Sequence, residues 1–411
     1  MTAAGEVPPP PLSGVRVLDL SRVLAGPFAA QILAAFGADV VKVEPPGDPD
    51  TTRSIGREVA PSISAYFLAA NASKRAVAID LKVKDGRAVL LDLVRVSDVL
   101  LENFRPGVME RLGLAPETLR AANPRLVTAS ITSFGEESPR RALPAFDLVV
   151  QATAGAMAAT GEPGRPPVRL GFAMGDLAGG LYAALGVLAA LLRREAAGGR
   201  GAEVRVSLEE SLASLAAYLA QYALCGEPDA GPVGSGHPSI VPYGAFKTAD
   251  GHVALGVIGE KFWTLFCRAA GLDGIARDPR FAENAGRVAR RAELEAILSA
   301  ALARRTTADW IARFRAEGVP AGEIRTIADV VRDPEARASG FVGTIADPRA
   351  AGGAVDVLRS PVRVDGRRSE PFPAPAFAEH TREVLRDVLG YSDERLAALA
   401  ASGAVFVPKR S

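Results

Sequence analysis

An aspartate set among glycines at the start of an apolar run is the residue of this chain best equipped for covalent chemistry. Asp176 stands in Met174-Gly175-Asp176-Leu177-Ala178-Gly179-Gly180, directly before the apolar stretch 177–192. Two roles fit it. Asp is a routine helix N-cap. The same place suits a nucleophile, because a helix N-terminus favours an anion. A carboxylate of ordinary pKa, about 3.9, is then fully ionised at neutral pH. The flanking glycines would let a bulky ligand approach the backbone.

Three other groups carry chemical promise. Glu102-Asn103-Phe104-Arg105-Pro106-Gly107 follows an apolar strand pattern. It reads either as a turn with a solvated arginine or as ligand contacts at the carboxyl end of a strand, where open α/β sheets bind. Lys74, Arg75, Lys82, Lys84 and Arg87 cluster around another strand; they form a solvated surface or meet a phosphorylated ligand. Leu24-Ala25-Gly26-Pro27 sits between a strand and a helix, but it has one glycine where a dinucleotide fingerprint needs three. NAD binding is therefore the weakest of the enzyme readings.

The elements that must position these residues alternate. Residues 15–20 read as a strand, Pro27 opens a helix through Phe36, Gly37 ends it, and 38–44 is the next strand, a βαβ unit. Strands at 75–81, 99–102 and 126–131 and a helix at 85–96 continue the pattern. Near-continuous apolar strands suit a parallel sheet covered on both faces. One Ala/Leu helix is expected over 208–224, then a Gly/Pro-rich linker at 226–242. A hairpin around Asp250-Gly251 follows, with helices at 261–270, 291–304 and 307–317. A polar stretch at 349–375, a helix at 380–389 and a short tail end the chain.

Composition narrows the partners. A net charge of +1 offers no bulk attraction for nucleic acid or anionic membrane. Cys225 and Cys267 make neither a disulfide framework nor a CxxC unit, which points to a reducing, cytoplasmic setting. His237, His252 and His380 are scattered without metal-ligand spacing. The N-terminus lacks a signal-peptide pattern. The apolar stretch 177–192 is shorter than the roughly 18 residues of a membrane span, so a buried helix is expected there.

The order of the motifs resembles that of CoA-transferase family III, the CaiB/BaiF type. The residues that carry the likeness are Leu12-Ser-Gly-Val-Arg-Val-Leu-Asp-Leu20, Leu24-Ala-Gly-Pro27, Gly37-Ala-Asp-Val-Val-Lys-Val-Glu-Pro45, Asn71-Ala-Ser-Lys-Arg75, Glu102 to Gly107, Asn123-Pro-Arg-Leu-Val127, Gly161 and Gly175-Asp176. It runs from Leu12 to at least Val330. It implies an α/β fold with a Rossmann-like large domain, a smaller α+β domain and an interlocked homodimer. The expected layout is a disordered tail (1–11), the large domain (12–225), a linker (226–242), the small domain (243–330) and a linker with return to the large domain (331–411).

The resemblance also implies residue roles. The family's catalytic aspartate falls on Asp176. Its CoA-contacting segments fall on Leu24 and Ala25, on Ile79, Asp80, Leu81 and Lys82, on Asn103, Phe104 and Arg105, and on Arg111. Its glycine-rich loop falls on Gly256-Val-Ile-Gly259-Glu260. The stretch Gly236 to Thr248 is similar to succinate–hydroxymethylglutarate CoA-transferases, which singles out His237, Tyr243 and Lys247 for a dicarboxylate. Acyl-CoA and a carboxylic acid are the implied substrates, with no metal or permanently bound cofactor. The chain departs from formyl-CoA transferases at Leu24, Pro45 and Leu143-Pro144. α-Methylacyl-CoA racemases share the fold but place a histidine base where this chain has Phe146, which cannot move a proton. A non-catalytic CoA-thioester-binding homologue is the alternative outside the enzymes.

Overall fold

The computed structural model describes residues 8–229 and 231–409. Residues 1–7 of the expected tail lie outside the described residues. Of its remainder, Pro10 lies against Gly37 and its carbonyl accepts the Ser13 N–H; Leu12, where the large domain begins, donates its N–H to the Phe36 carbonyl and is buried.

Backbone contacts divide the chain into two compact units. The first takes the chain through Ala154, Gly171–Ala220 and Pro334 onward; the second takes Gly155–Leu170 and Gln221–Asp333. Residues 155–170, assigned to the large domain from sequence, therefore group with the second unit. So do residues 226–242, expected to be a linker. There Gly234 donates to the Gly161 carbonyl and Arg291 to the carbonyls of His237 and Pro238, and such bonds tie a segment into a core.

The first unit is built on a seven-stranded sheet. Its members are β1 (Arg16–Asp19), β2 (Asp39–Glu44), β5 (Lys74–Ile79), β6 (Val99–Glu102), β7 (Val127–Thr132), β8 (Glu203–Ser207) and β14 (Val405–Phe406). β3 (Glu58–Ala60) and β4 (Ile63–Ser64) form a small hairpin beside it. Sheet order is β14-β5-β2-β1-β6-β7-β8, parallel except for β14. Taken by rank along the chain, the parallel strands run 3-2-1-4-5-6, the doubly wound order of a dinucleotide fold. The order reverses between β1 and β6, which opens a crevice beyond their carboxyl ends. The strands are apolar almost throughout because both faces are covered; Val17, Leu18, Val41, Val77, Ile79, Val99 and Leu101 are fully buried.

Helices α1 (Ala25–Ala35), α2 (Ala65–Asn71), α3 (Lys84–Arg95), α4 (Val108–Arg111), α5 (Pro116–Ala122) and α6 (Asp147–Thr153) belong to this unit. After α7 (Ala156–Ala159) of the second unit come α8 (Met174–Ala196), α9 (Leu208–Leu215) and α10 (Tyr218–Leu224). The single helix expected over 208–224 is thus two, because Ala217 turns to a left-handed φ of 42° between them. α8 spans 23 residues, so length does not exclude a membrane span as the apolar run alone suggested; by length and composition it is apolar enough to cross one. It nevertheless packs on α1, α9, β7 and β8. Its glycines make that packing possible: a Cβ on Gly180 would stand 2.7 Å from the Ala25 carbonyl oxygen, and one on Gly179 would stand 2.3 Å from Leu208.

The chain's end does more than trail off. A helix at Asp393–Ala401 and edge strand β14 follow the helix Thr381–Asp387. Thr381 Oγ1 and His380 Nδ1 accept the N–H groups of Ala78 and Ala76, so the edge of β5 is covered. The polar stretch 349–375 also contains a strand: β12 (Val342–Ala346) and β13 (Ala354–Leu358) form a hairpin.

The second unit has a three-stranded antiparallel sheet, β9 (Tyr243–Lys247), β10 (His252–Gly256) and β11 (Ala321–Glu323), in the order β11-β10-β9. Helices Glu260–Ala270, Arg291–Leu302 and Thr307–Glu317 cover it. Trp263, Phe266, Phe314 and Trp310 stack in series at ring distances of 6.0, 5.6 and 5.3 Å.

Candidate active site

A cavity of about 300 Å³ opens in the first unit beyond the carboxyl ends of β1, β6, β7 and β8. Arg22 to Ala25 after β1 and Asn103 to Pro106 after β6 form two walls. These are the loops on either side of the reversal point. Ile131 to Ser133 at the end of β7, Leu208 after β8, Arg141, the segment Leu143 to Phe146, Val149 and Asp176 complete the lining. The structure thus brings Asp176, Leu24, Ala25, Asn103, Phe104 and Arg105 to one place, although they are spread over 152 positions from Leu24 to Asp176.

Asp176 is not the N-cap of its helix. α8 begins at Met174, so Asp176 lies inside the first turn. No side chain of the helix itself caps it. Asp147 does so from the start of α6: one carboxylate oxygen accepts the N–H of Gly175 at 2.8 Å and that of Asp176 at 3.2 Å. The other oxygen accepts Gln151 Nε2, 2.6 Å away. Asp176 keeps its own carboxylate free of that duty. Gly175 serves this packing and not a ligand, since a Cβ there would meet Val150 at 2.9 Å and Asp147 at 3.0 Å.

Burial pushes the Asp176 carboxyl up to about 7, and the nearby negative charge of Asp147 adds to the shift. The fully ionised carboxylate expected from sequence is therefore corrected. Near neutrality Asp176 divides between its two protonation states, and its anion is more basic than an ordinary aspartate. A second carboxyl behaves alike: burial raises Glu102 to about 7 at the end of β6. Its oxygen accepts the Phe104 N–H at 2.7 Å and so shapes the Asn103–Arg105 wall.

Other expected ligand residues separate. Ile79 is fully buried in the sheet core, so its side chain offers nothing to a ligand. Asp80 accepts the Lys82 N–H in the turn after β5, which leaves the Lys82 side chain exposed. Arg111 is exposed on α4 and lies against Gly107. His237, Tyr243, Lys247 and Gly259 belong to the second unit. His237 and Tyr243 meet edge to face at 5.6 Å, Lys247 is exposed on β9, and Gly259 precedes the helix Glu260–Ala270 with a φ of 84°.

Asp147 and Tyr66 are the site residues that sequence reasoning missed. Burial raises the Tyr66 phenol, and the charges of Asp176, Asp50 and Asp147 raise it further, which places it within electrostatic reach of the candidate nucleophile. Phe146-Asp147 stood out only as the place of an absent histidine. Nothing in the local pattern tied Asp147 to a helix start 27 residues on.

Residues 12–381 match the sequence profile of CoA-transferase family III, and the chain belongs to that family. Proteins similar to this chain include several named as CoA-transferases. Succinyl-CoA:glutarate CoA-transferase of Mus musculus is 36% identical over 96% of this chain and 90% of its own length. Succinyl-CoA–D-citramalate CoA-transferase of Chloroflexus aurantiacus is 36% identical over 97% of this chain and 99% of its own. A crystal structure of a CaiB/BaiF family protein from Brucella suis is 34% identical, with a TM-score of 0.81 over 92% of this chain and 99% of that one.

Proposed function

We propose that the protein moves CoA from an acyl-CoA to a dicarboxylic acid through covalent intermediates on Asp176. The observation that carries this reading is the placement of a freely presented, partly buried carboxylate in the reversal-point cavity, its helix capped by Asp147 instead of by itself.

The chemistry is nucleophilic catalysis without net hydrolysis. The Asp176 carboxylate attacks the donor thioester carbonyl; the C–S bond breaks, and a mixed anhydride and CoA thiolate result. The thiolate attacks the Asp176 carbonyl and displaces the donor acid, leaving an aspartyl-CoA thioester. The acceptor carboxylate attacks that thioester and releases thiolate again. The thiolate then takes the acceptor acyl group and returns Asp176 as carboxylate. Every step exchanges one activated acyl group for another, so the energy of the thioester is conserved. Held near a pKa of about 7, the Asp176 anion is a stronger nucleophile than an ordinary aspartate and a poorer leaving group.

Asn103, Phe104 and Arg105 take the CoA portion together with Leu24 and Ala25, while Lys82 and Arg111 supply exposed cations for phosphates. The dicarboxylate choice draws on relatives named for succinyl-CoA with glutarate or D-citramalate. Arg141 lines the Asp176 cavity and is a cation at hand for a distal carboxylate. The protein acts as a homodimer. Leu181, Tyr182, Leu185 and Leu192 of α8 are 40–76% exposed, an apolar face that a second copy would cover.

Acceptors compared at saturating succinyl-CoA test the reading. A site that pairs a distal carboxylate should use glutarate at least about tenfold better than valerate, about 1.4 kcal/mol. Equal use of valerate would make this a monocarboxylate enzyme.

A further inference from the structure

Ser21 and the first two residues of the adjoining cavity wall, Arg22 and Val23, are each held by a different side chain. Ser21 donates its N–H to Asp19 at 3.0 Å, and its carbonyl accepts Lys42 Nζ at 2.9 Å. Arg22 is clasped by Asn103, which accepts its N–H and donates to its carbonyl, both at 2.8 Å. The Val23 N–H lies 3.3 and 3.2 Å from the two oxygens of Asp50.

Val23 needs holding. Its φ is 69°, a left-handed conformation that β-branched side chains avoid. Such strain persists only where the surroundings over-determine it, and it gathers at functional sites. Here the surroundings are charged. Lys42 and Asp50 pair at 3.0 Å, and Lys74 and Asp19 at 2.8 Å, all four side chains being wholly buried. Lys74 also donates to the Pro27 carbonyl of α1 at 2.9 Å. A core gains little stability from buried ion pairs compared with apolar packing. Stability alone therefore accounts poorly for this one, whose ends grip the backbone of Ser21 and Val23. Arg22 to Ala25 is the wall that shares the cavity with Asp176.

We propose that Asp50, seated on Lys42, is a positioning residue of the transfer reaction, locking Val23 in its left-handed conformation and so presetting the Arg22–Ala25 wall against Asp176. This rests on the reading of Asp176 as nucleophile. Asp50 also caps the short turn Thr51–Ser54 by accepting the Thr52 N–H at 3.0 Å, so a purely structural role is the rival to be tested.

The test uses the full chain with succinyl-CoA and glutarate as the probe pair. Asp50→Asn keeps the side chain's size and an oxygen for Val23 but removes the charge. Its kcat should fall about tenfold or more, with the KM for succinyl-CoA within about threefold of wild type. Val23→Gly added to that variant should restore kcat at least about threefold, because glycine adopts the left-handed turn without strain and needs a weaker lock. Loss of a cap or of a core charge would not be relieved by a glycine at position 23. A smaller fall in kcat, or a double variant no faster than Asp50→Asn, overturns the proposal. Should Asp50→Asn fail to fold, Thr52→Val is read by the same two criteria of direction and rescue; it removes only the 2.8 Å hydroxyl bond to the same carboxylate. Asp176→Ala, assayed in parallel, reports on the nucleophile alone, so failure of that reading is seen separately.

Discussion

Both units bury charge, and they spend it differently. In the second unit Arg287 is fully buried; it donates to the carbonyls of Val241, Phe281 and Ala282 and pairs with Glu260, whose side chain is 53% exposed. The three carbonyl bonds close irregular stretches of backbone beside the aromatic core. In the first unit Lys42, Asp50, Asp19 and Lys74 form pairs closed to solvent on both sides, and their bonds reach the loop that lines the cavity. One guanidinium among carbonyls completes a fold. Two paired acids and bases beneath a strained loop fix the shape of a site. Buried charge is thus informative through what it grips, not through its burial.

That contrast separates effects on chemistry from effects on stability, and Asp176 gives the largest. Asp176→Ala and Asp176→Asn should each lower transfer by about a thousandfold or more, since neither an absent group nor an amide can form the anhydride. Near neutral pH, Asp176→Asn should unfold at or above the wild-type temperature, since the buried carboxyl lowers stability there. Either variant turning over at a near-normal rate would remove Asp176 from the mechanism. Arg287→Met should show the reverse pattern. Three carbonyls lose their donor, so a stability loss of at least about 3 kcal/mol is expected. It would be read as a lowered Tm with transfer per folded molecule retained. A variant with wild-type Tm would break the comparison.

The subtler test lies in pH. Transfer requires ionised Asp176, so the acid limb of kcat/KM should have its midpoint near 7, the value to which burial raises that carboxyl. Asp147→Asn removes the neighbouring negative charge and should move the limb to lower pH, with a smaller loss of rate than at Asp176 itself. A limb that stayed in place would dissociate the two aspartates. Stability follows the opposite sense. The folded protein holds the Asp176 proton more tightly than the unfolded chain does, so stability falls as pH rises from about 4 toward 7 and then levels. Asp176→Asn should flatten that decline in part, Glu102 supplying the remainder because its carboxyl is raised to about 7 as well.

Much of this was legible along the chain. Alternating apolar strands and turn residues specify a βαβ series, since period and punctuation are local properties. The turn at Leu24 to Pro27, the strand end at Glu102 to Gly107 and the aspartate at a helix start are local signals too. The spacing of such motifs pointed to the family and to Asp176. By itself the sequence determined the alternation of strands and helices in the first half of the chain and marked Asp176 as the candidate nucleophile.

What only the tertiary structure decided depends on partners distant in the chain. Asp147 caps a helix that starts 27 residues after it, and Asp50 holds a backbone N–H that lies 27 positions before it. Residues 155–170 join the second unit, and Ala217 divides a run that composition makes continuous. The carboxylate read as an ordinary ionised aspartate becomes one near 7, because removal of water and a second aspartate alter it. A pattern of residue types records which groups are available. Dehydration, backbone strain and the approach of one charge to another arise only when the sheet order brings the loops after β1 and β6 around a single cavity.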